Sequence, residues 1–291
     1  MKILVTGATG FIGQYVVRQL LADGHTVIAT GTNQARASQF NWFDQVTFVE
    51  YNLPVVGDNQ NLYDYFDQPD ALIHLAWQGL PNYKATFHFE QSLFPQYLFL
   101  KNLIHNGLRN VTVTGTCFEY GMQDGCLSED QSSMPANPYA LAKDTLRKML
   151  EALQTEHSFS LKWARLFYMY GDGQHPNSII PLLNRAIEQG ETVFNMSGGE
   201  QLRDYLRVED VAIYLCRLAT QTNTSGIINC CSGQPISIRR FVENYLHTRN
   251  ATISLNLGYY PYPDYEPMAF WGNNQKLTKL LLSYNESHRS L

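Results

Sequence analysis

Charge is scarce in this chain: Asp, Glu, Lys and Arg make up only 16% of its 291 residues. The balance is mildly acidic, −5 at pH 7, so nothing in it would attract nucleic acid or an anionic membrane surface. Cysteines are few and odd in number (Cys117, Cys126, Cys216, Cys230 and Cys231) and form no C-x-x-C pair. That argues against a disulfide framework or a zinc site and suits a reducing, cytoplasmic setting. No apolar run approaches the ~20 residues that cross a bilayer. The amino terminus enters a strand directly, without the apolar stretch and cleavage pattern of a signal peptide. Repeats and low-complexity tracts are missing. The histidines have no ligand spacing, since His74 falls on a buried strand and His25 follows a helix stop, so no metal is expected. What remains is a soluble globular chain, 44% hydrophobic, with length for one large or two modest domains.

The first thirteen residues carry the strongest pattern. Lys2-Ile3-Leu4-Val5 is a short branched apolar run, TGATGFIG follows from Thr6 to Gly13, and Val16, Val17, Leu20 and Leu21 recur at helical spacing until Gly24. This predicts buried strand, tight turn and helix. Gly7 permits the sharp turn, Gly10 lets backbone N–H groups approach a pyrophosphate, and Gly13 lets helix and strand pack closely. Phe11 and Ile12 open the helix, whose amino terminus adds partial positive charge for phosphates.

Further strands are predicted at Thr26–Ala29, Val46–Glu50, Ala71–Leu75, Asn110–Thr114 and Ser160–Leu166, with helical stretches between them. A long helical pattern runs from Thr86 to about Asn106, and Asn137-Pro138 reads as an N-cap with proline at the first helical position. Regular alternation implies an α/β fold, a doubly wound parallel Rossmann sheet over residues 1–167. Beyond Phe167 the rhythm loosens. A strand near 226–231 should return to the main sheet, while 168–291 otherwise forms a smaller interleaved lobe. Its aromatic stretch from Tyr259 to Pro267 reads as irregular packed surface closing over the carboxyl-edge crevice.

Tyr139 and Lys143 stand four apart on the helix opened by Asn137, hence on one face. An ammonium beside a phenol lowers the phenol's pKa, making a proton donor or acceptor for a sugar hydroxyl or carbonyl. Thr116, just past the strand Asn110–Thr114, could hydrogen-bond the same oxygen. Such a Tyr/Lys pair alone is also commonplace on helix surfaces; the glycine loop and Thr116 give it meaning.

TGATGFIG, His74-Leu75-Ala76, TGTCFEYG (Thr114–Gly121), YALAK (Tyr139–Lys143), RLFYMYG (Arg165–Gly171) and RDYLRVEDVA (Arg203–Ala212) occur in that order. Together they resemble the extended short-chain dehydrogenase/reductases acting on nucleotide sugars, the epimerase/dehydratase family, over residues 1 to about 280. The resemblance implies a nicotinamide cofactor on the Rossmann domain, with Leu75 and Ala76 among its contacts, and a nucleotide-diphosphate sugar in the lobe. It makes Thr116, Tyr139 and Lys143 the catalytic residues, with Tyr139 moving the proton and Lys143 also binding the nicotinamide ribose. It also implies a homodimer built on the long helix from Thr86 and the Tyr139 helix.

Departures from the family pattern narrow the expectation. Dehydratases carry Asp-Glu directly after the catalytic Thr, and here those positions are Cys117 and Phe118. The cysteine of the epimerase–reductases would fall on Phe118, so Cys117 reads as a small buried residue. Gly31 stands where NAD-binding members usually carry an acid; with Arg36 close by, this leans towards NADP over NAD, although Arg36 equally reads as an exposed helix-start residue. Asn52-Leu53 matches the family's Asp-hydrophobic pair near adenine. Arg203 matches a diphosphate-contacting arginine, a salt bridge between lobes being the rival reading. Tyr168 replaces a family Asn, Trp77 stands where many relatives have a small residue and would crowd the sugar side, and Trp271 could wall the base pocket or simply pack. By elimination the expected activity is reduction of a nucleotide-activated 4-keto-6-deoxysugar, the whole pattern most resembling dTDP-4-dehydro-6-deoxyglucose reductases. A 4-epimerase holding tightly bound NAD is the alternative, and a non-catalytic cofactor-binding regulator is a third.

Overall fold

Strand and helix alternate from the first residues, as the hydrophobic pattern predicts. The computed structural model describes residues 1–53, 60–221 and 224–288. The chain runs β1 (Lys2–Thr6), α1 (Phe11–Ala22), β2 (Thr26–Gly31), α2 (Gln34–Ala37), β3 (Thr47–Glu50), α3 (Leu62–Tyr65) and β4 (Ala71–His74). Next come α4 (Leu93–His105), β5 (Asn110–Thr116), β6 (Gly125–Leu127), α5 (Pro138–Leu153) and β7 (Ser160–Leu166). The remainder is β8 (Tyr168–Tyr170), α6 (Ile179–Glu188), β9 (Val193–Asn195), β10 (Leu202–Arg207), α7 (Val208–Thr220) and β11 (Gly226–Cys230). It closes with β12 (Pro235–Ser237), α8 (Ile238–Arg249), β13 (Ser254–Asn256), β14 (Phe270–Gly272) and α9 (Gln275–His288).

Seven strands form one parallel sheet in the order β3-β2-β1-β4-β5-β7-β11. A parallel sheet must bury both faces. Leu4, Leu72 and Val111 pack under Leu100, Leu103, Leu146 and Leu150, while Val5 and Ile73 pack under Val16, Leu20, Val211 and Leu215. Strand order reverses between β1 and β4, which places a crevice at their carboxyl ends. A separate apolar cluster of Leu183, Phe194, Met196, Val242 and Leu246 gives the carboxy-terminal part its own core.

Several boundaries differ from the sequence reading. β5 continues to Thr116 because Thr114–Thr116 still pair with Ala164–Leu166 of β7, so Thr116 ends the strand rather than following it. β2 likewise extends to Gly31, held by Glu50 of β3. The helix expected from Thr86 is interrupted, with a π turn at His88–Ser92 preceding α4. The cap on α5 is as expected: Asn137 Oδ1 accepts from Ala140 N at 2.9 Å. Tyr259–Pro267 is irregular, and β11 pairs with β7. Among the described residues no helix is long and apolar enough to cross a membrane.

Candidate active site

The glycine loop is shaped by close backbone approach. Gly7 has φ +69°, and a Cβ there would lie 2.9 Å from Ala76 N. A Cβ on Gly13 would lie 2.1 Å from Gly7 O, so α1 can seat on the loop only without a side chain. Thr6 ties loop to crevice: its Oγ1 accepts from Leu75 N and Ala76 N, at 3.2 and 3.3 Å. Phe11 and Ile12 are half-buried in the first turn of α1, whose N-cap is Gly10. This cradle, empty of side chains and facing a helix amino terminus, fits a dinucleotide pyrophosphate. Asn52 is exposed just beyond β3 and Leu53 packs on the core beneath it. Arg36 is exposed on α2.

The expected absence of a carboxylate around Gly31 needs correction. Glu50 is the register partner of Gly31, and its Oε2 accepts from Gln34 N at 2.8 Å. Strand pairing brings in an acid that linear spacing does not show.

Thr116, Tyr139 and Lys143 are all buried and converge where β5 meets α5. Thr116 Oγ1 accepts from Phe118 N at 3.3 Å, and Thr116 N donates to Glu119 Oε1 at 2.8 Å. Glu119 is also held by Trp163 Nε1 and Arg165 Nε, at 2.9 and 2.7 Å, so its contacts are all donors. Lys143 Nζ donates to Thr114 O at 2.9 Å and lies 4.2 Å from the Trp77 ring centre. The expected lowering of the tyrosine by the lysine is not what the protein groups produce. Burial pushes the Tyr139 phenol well above its usual value, opposed by the Thr116 hydroxyl. Burial lowers Lys143 to about 7, opposed by Glu119.

Trp77 lies on the lysine. Its Nε1 donates to His88 Nδ1 at 3.1 Å, and its ring meets Tyr139 edge-on at 6.0 Å. Cys117 is buried, and burial raises its thiol pKa, as befits a small packed residue. Phe118 is ringed by Tyr83 at 5.0 Å, Tyr265 at 6.1 Å and Tyr168 at 6.2 Å. Arg203 is fully buried, 5.7 Å from the Tyr168 ring and 4.6 Å from that of Phe270. It pairs with Glu266 at 3.4 Å, and its Nε finds no hydrogen-bond partner. Glu266 in turn accepts from the Tyr168 hydroxyl.

Trp271 is half-buried on β14. Strand alternation on β14 turns Phe270 towards Arg203, whereas Trp271 is the register partner of Cys126 on β6. Tyr83 was missed, because it lies in the aperiodic segment between β4 and α4; its carbonyl accepts from Tyr139 N at 3.1 Å. Glu119 was visible inside TGTCFEYG, but only its burial shows a role. A cavity of about 1000 Å³ between α6 and α8, lined by Tyr205, Arg207 and Phe241, does not include the converging Tyr, Lys and Thr.

Comparison with known proteins decides the family. The model described as "NAD dependent epimerase/dehydratase family" matches residues 3–231. The chain belongs to that family. A dTDP-6-deoxy-L-talose 4-dehydrogenase (NAD(+)) of Aggregatibacter actinomycetemcomitans is 32% identical over 278 residues, spanning 94% of this chain and 99% of its own. A UDP-glucose 4-epimerase of Halalkalibacterium halodurans is 27% identical over 270 residues, covering 84% and 79% of the two chains. The structure of MoeE5 with UDP-glucuronic acid and NAD superposes over 100% of both chains, with TM-score 0.76 and 25% identity. A UDP-glucose-4-epimerase from Stenotrophomonas maltophila shares the fold with TM-score 0.84 at 18% identity, covering 97% of this chain and 92% of its own. The epimerase/dehydratase family is NAD-dependent by its own description, and the glycine cradle of this member fits that cofactor.

Proposed function

We propose that this family member is a reductase of a nucleotide-diphosphate 4-keto-6-deoxysugar. The observation that carries the reading is the environment of Phe118. Where water removal would need an acid and a base, an aromatic ring sits among three tyrosine rings. The nearby carboxylates are committed: Glu119 to Thr116, Trp163 and Arg165, and Glu266 to Tyr168 and Arg203. The face of the Phe118 ring accepts a C6 methyl group without leaving a polar atom unpaired. The 32% identical relative is named for oxidation at C4 of a dTDP-linked 6-deoxysugar, and the reverse of that reaction is 4-keto reduction.

Within the site Thr116 donates a hydrogen bond to the oxygen on C4, and Tyr139 gives it a proton. Burial keeps the Tyr139 phenol protonated, the form a proton donor needs. Lys143, lowered to about 7 and one helical turn from Tyr139, would bind the nicotinamide ribose. Gly7, Gly10, Phe11, Ile12 and Gly13 hold the pyrophosphate, Leu75 and Ala76 border the nicotinamide side, and Asn52 and Leu53 border adenine. The nicotinamide, when bound in this cradle, would supply the hydride. Arg203 receives the sugar nucleotide's diphosphate in the lobe formed mainly by 168–291, with Tyr168, Trp77, Cys117 and Phe118 around the sugar. Gly31 and Arg36 alone favour NADP, whereas the MoeE5 structure, 25% identical, carries NAD, which is the cofactor of this reading.

Purified protein given a nucleoside-diphosphate 4-keto-6-deoxyhexose and labelled NADH should oxidise one NADH per sugar and leave deuterium at C4. Inversion at C4 of a non-keto nucleotide sugar, without net cofactor consumption, would favour the epimerase instead. A homodimer is part of the same reading. Phe94 and Leu98 on α4 and Leu141 on the adjacent α5 are exposed, and a dimer interface would cover them.

A further inference from the structure

Gly31 ends β2 where a dinucleotide fold ordinarily places the acid that accepts from the adenosine ribose. Two neighbours flank it. On one side is the glycine loop: Ala8 N donates to Thr30 O at 3.0 Å, and a Cβ on Gly31 would lie 3.1 Å from Thr9 Oγ1. Any side chain at position 31 would therefore need the Thr9 hydroxyl to give by a few tenths of an ångström. On the other side is β3, where Glu50 pairs in register with Gly31. The Glu50 carboxylate is anchored, since Oε2 accepts from Gln34 N at 2.8 Å and so lies over the β2–α2 connection. Asn33 already caps α2 by accepting from Arg36 N at 2.8 Å, so Glu50 takes a donor the cap does not use.

We propose that Glu50, reaching across from β3, replaces the acid missing at position 31 and selects the unphosphorylated dinucleotide. A carboxylate that accepts one N–H keeps lone pairs for ribose hydroxyls. The same charge opposes a 2′-phosphate, which has only acceptor oxygens and a negative charge to offer. Arg36 is the opposing influence named by the sequence; its side chain and that of Glu50 are both exposed and screened by solvent, and what sets Glu50 apart is the Gln34 N–H that anchors its carboxylate. Glu50 holds its position through the Gln34 N–H, so its charge sits at a defined place. The inference rests on the family's dinucleotide cofactor and is independent of the sugar reaction.

Fluorescence titration of NADH and NADPH against the purified protein, without any sugar, tests it. Wild type should bind NADH at least tenfold more tightly than NADPH. Glu50→Gln keeps an acceptor for Gln34 N but removes the charge. It should shrink the ratio at least fivefold, by tightening NADPH, with an unchanged circular dichroism spectrum. Glu50→Ala should shrink it further, by weakening NADH as well. A wild type that binds NADPH as tightly as NADH, or a Glu50→Gln variant with the wild-type ratio, overturns the proposal. Failure of sugar reduction alone would leave these titrations unchanged and would count only against the reductase.

Discussion

Replacing Glu119 by Leu would strand a guanidinium in the core. The Glu119 and Arg165 side chains are 0% and 1% exposed and meet at 2.7 Å. Arg165 also stacks 4.3 Å from the centre of the Tyr120 ring, so it has little room to swing into water. The substitution removes the acceptor for Arg165 Nε, Trp163 Nε1 and Thr116 N together. Breaking a buried ion pair from one side costs about 3–5 kcal/mol. Two neutral donors left unpaired would add about 1–3 kcal/mol each if nothing relaxed. Partial rearrangement trims the sum, and a loss of roughly 4 kcal/mol is the expectation, or a fall in Tm of about 8–12 °C. The double variant Glu119→Leu/Arg165→Met removes both charges and should recover the ion-pair part of that loss, leaving the part due to Trp163 Nε1 and Thr116 N. Thermal melts and urea titrations of the three proteins give the comparison. Turnover separates stability from positioning: Thr116 N stays unpaired in the double variant, so its kcat should remain depressed. A single variant losing under about 1 kcal/mol, or a double variant no better than the single, would refute the reasoning.

Three other outcomes follow from the same geometry. Tyr139→Phe should bind NADH and sugar nucleotide normally yet lose roughly 10²–10⁴-fold in kcat, as steady-state rates and binding titrations would show. Gly13→Ala drives a methyl to 2.1 Å from Gly7 O, so loop or helix must shift; a loss of about 1–3 kcal/mol and weaker NADH binding are expected in melts and titrations. His74 accepts from Thr6 and donates to Gln96, and burial lowers it to about 3 from an ordinary 6.5. Between those values the unfolded chain binds a proton that the folded one refuses. Stability should therefore fall as pH drops from 6.5 towards 3, by up to about 1.4 kcal/mol per pH unit. Urea unfolding across that range should give a shallower slope for His74→Gln.

What the sequence by itself determined is local in origin. The glycine loop is legible because each glycine answers a steric demand within a few residues of itself. The strand Ser160–Leu166 and the Asn137 cap are legible because period and capping chemistry act over one element. Tyr139 and Lys143 share a face because helical spacing requires it. The stretch from Tyr259 to Pro267 is irregular, as its composition predicts, but Tyr259, Tyr260 and Tyr262 are exposed while Tyr265 and Glu266 pack at the site, a division that composition does not show.

The rest depends on which distant segments the sheet brings side by side. Glu50 reaches Gly31 only because β3 lies next to β2, and no linear spacing encodes that register. Tyr83 joins Phe118 and Tyr139 from a segment without period. Trp77 covers Lys143 because His88 holds its indole from the π turn before α4. Phe270, not Trp271, meets Arg203 because β14 pairs with β6 in one register and strand alternation does the rest. Even the direction of the Tyr139 shift belongs here. Spacing puts a lysine nearby, but the packed protein removes the water that a phenolate would need, and desolvation outweighs proximity.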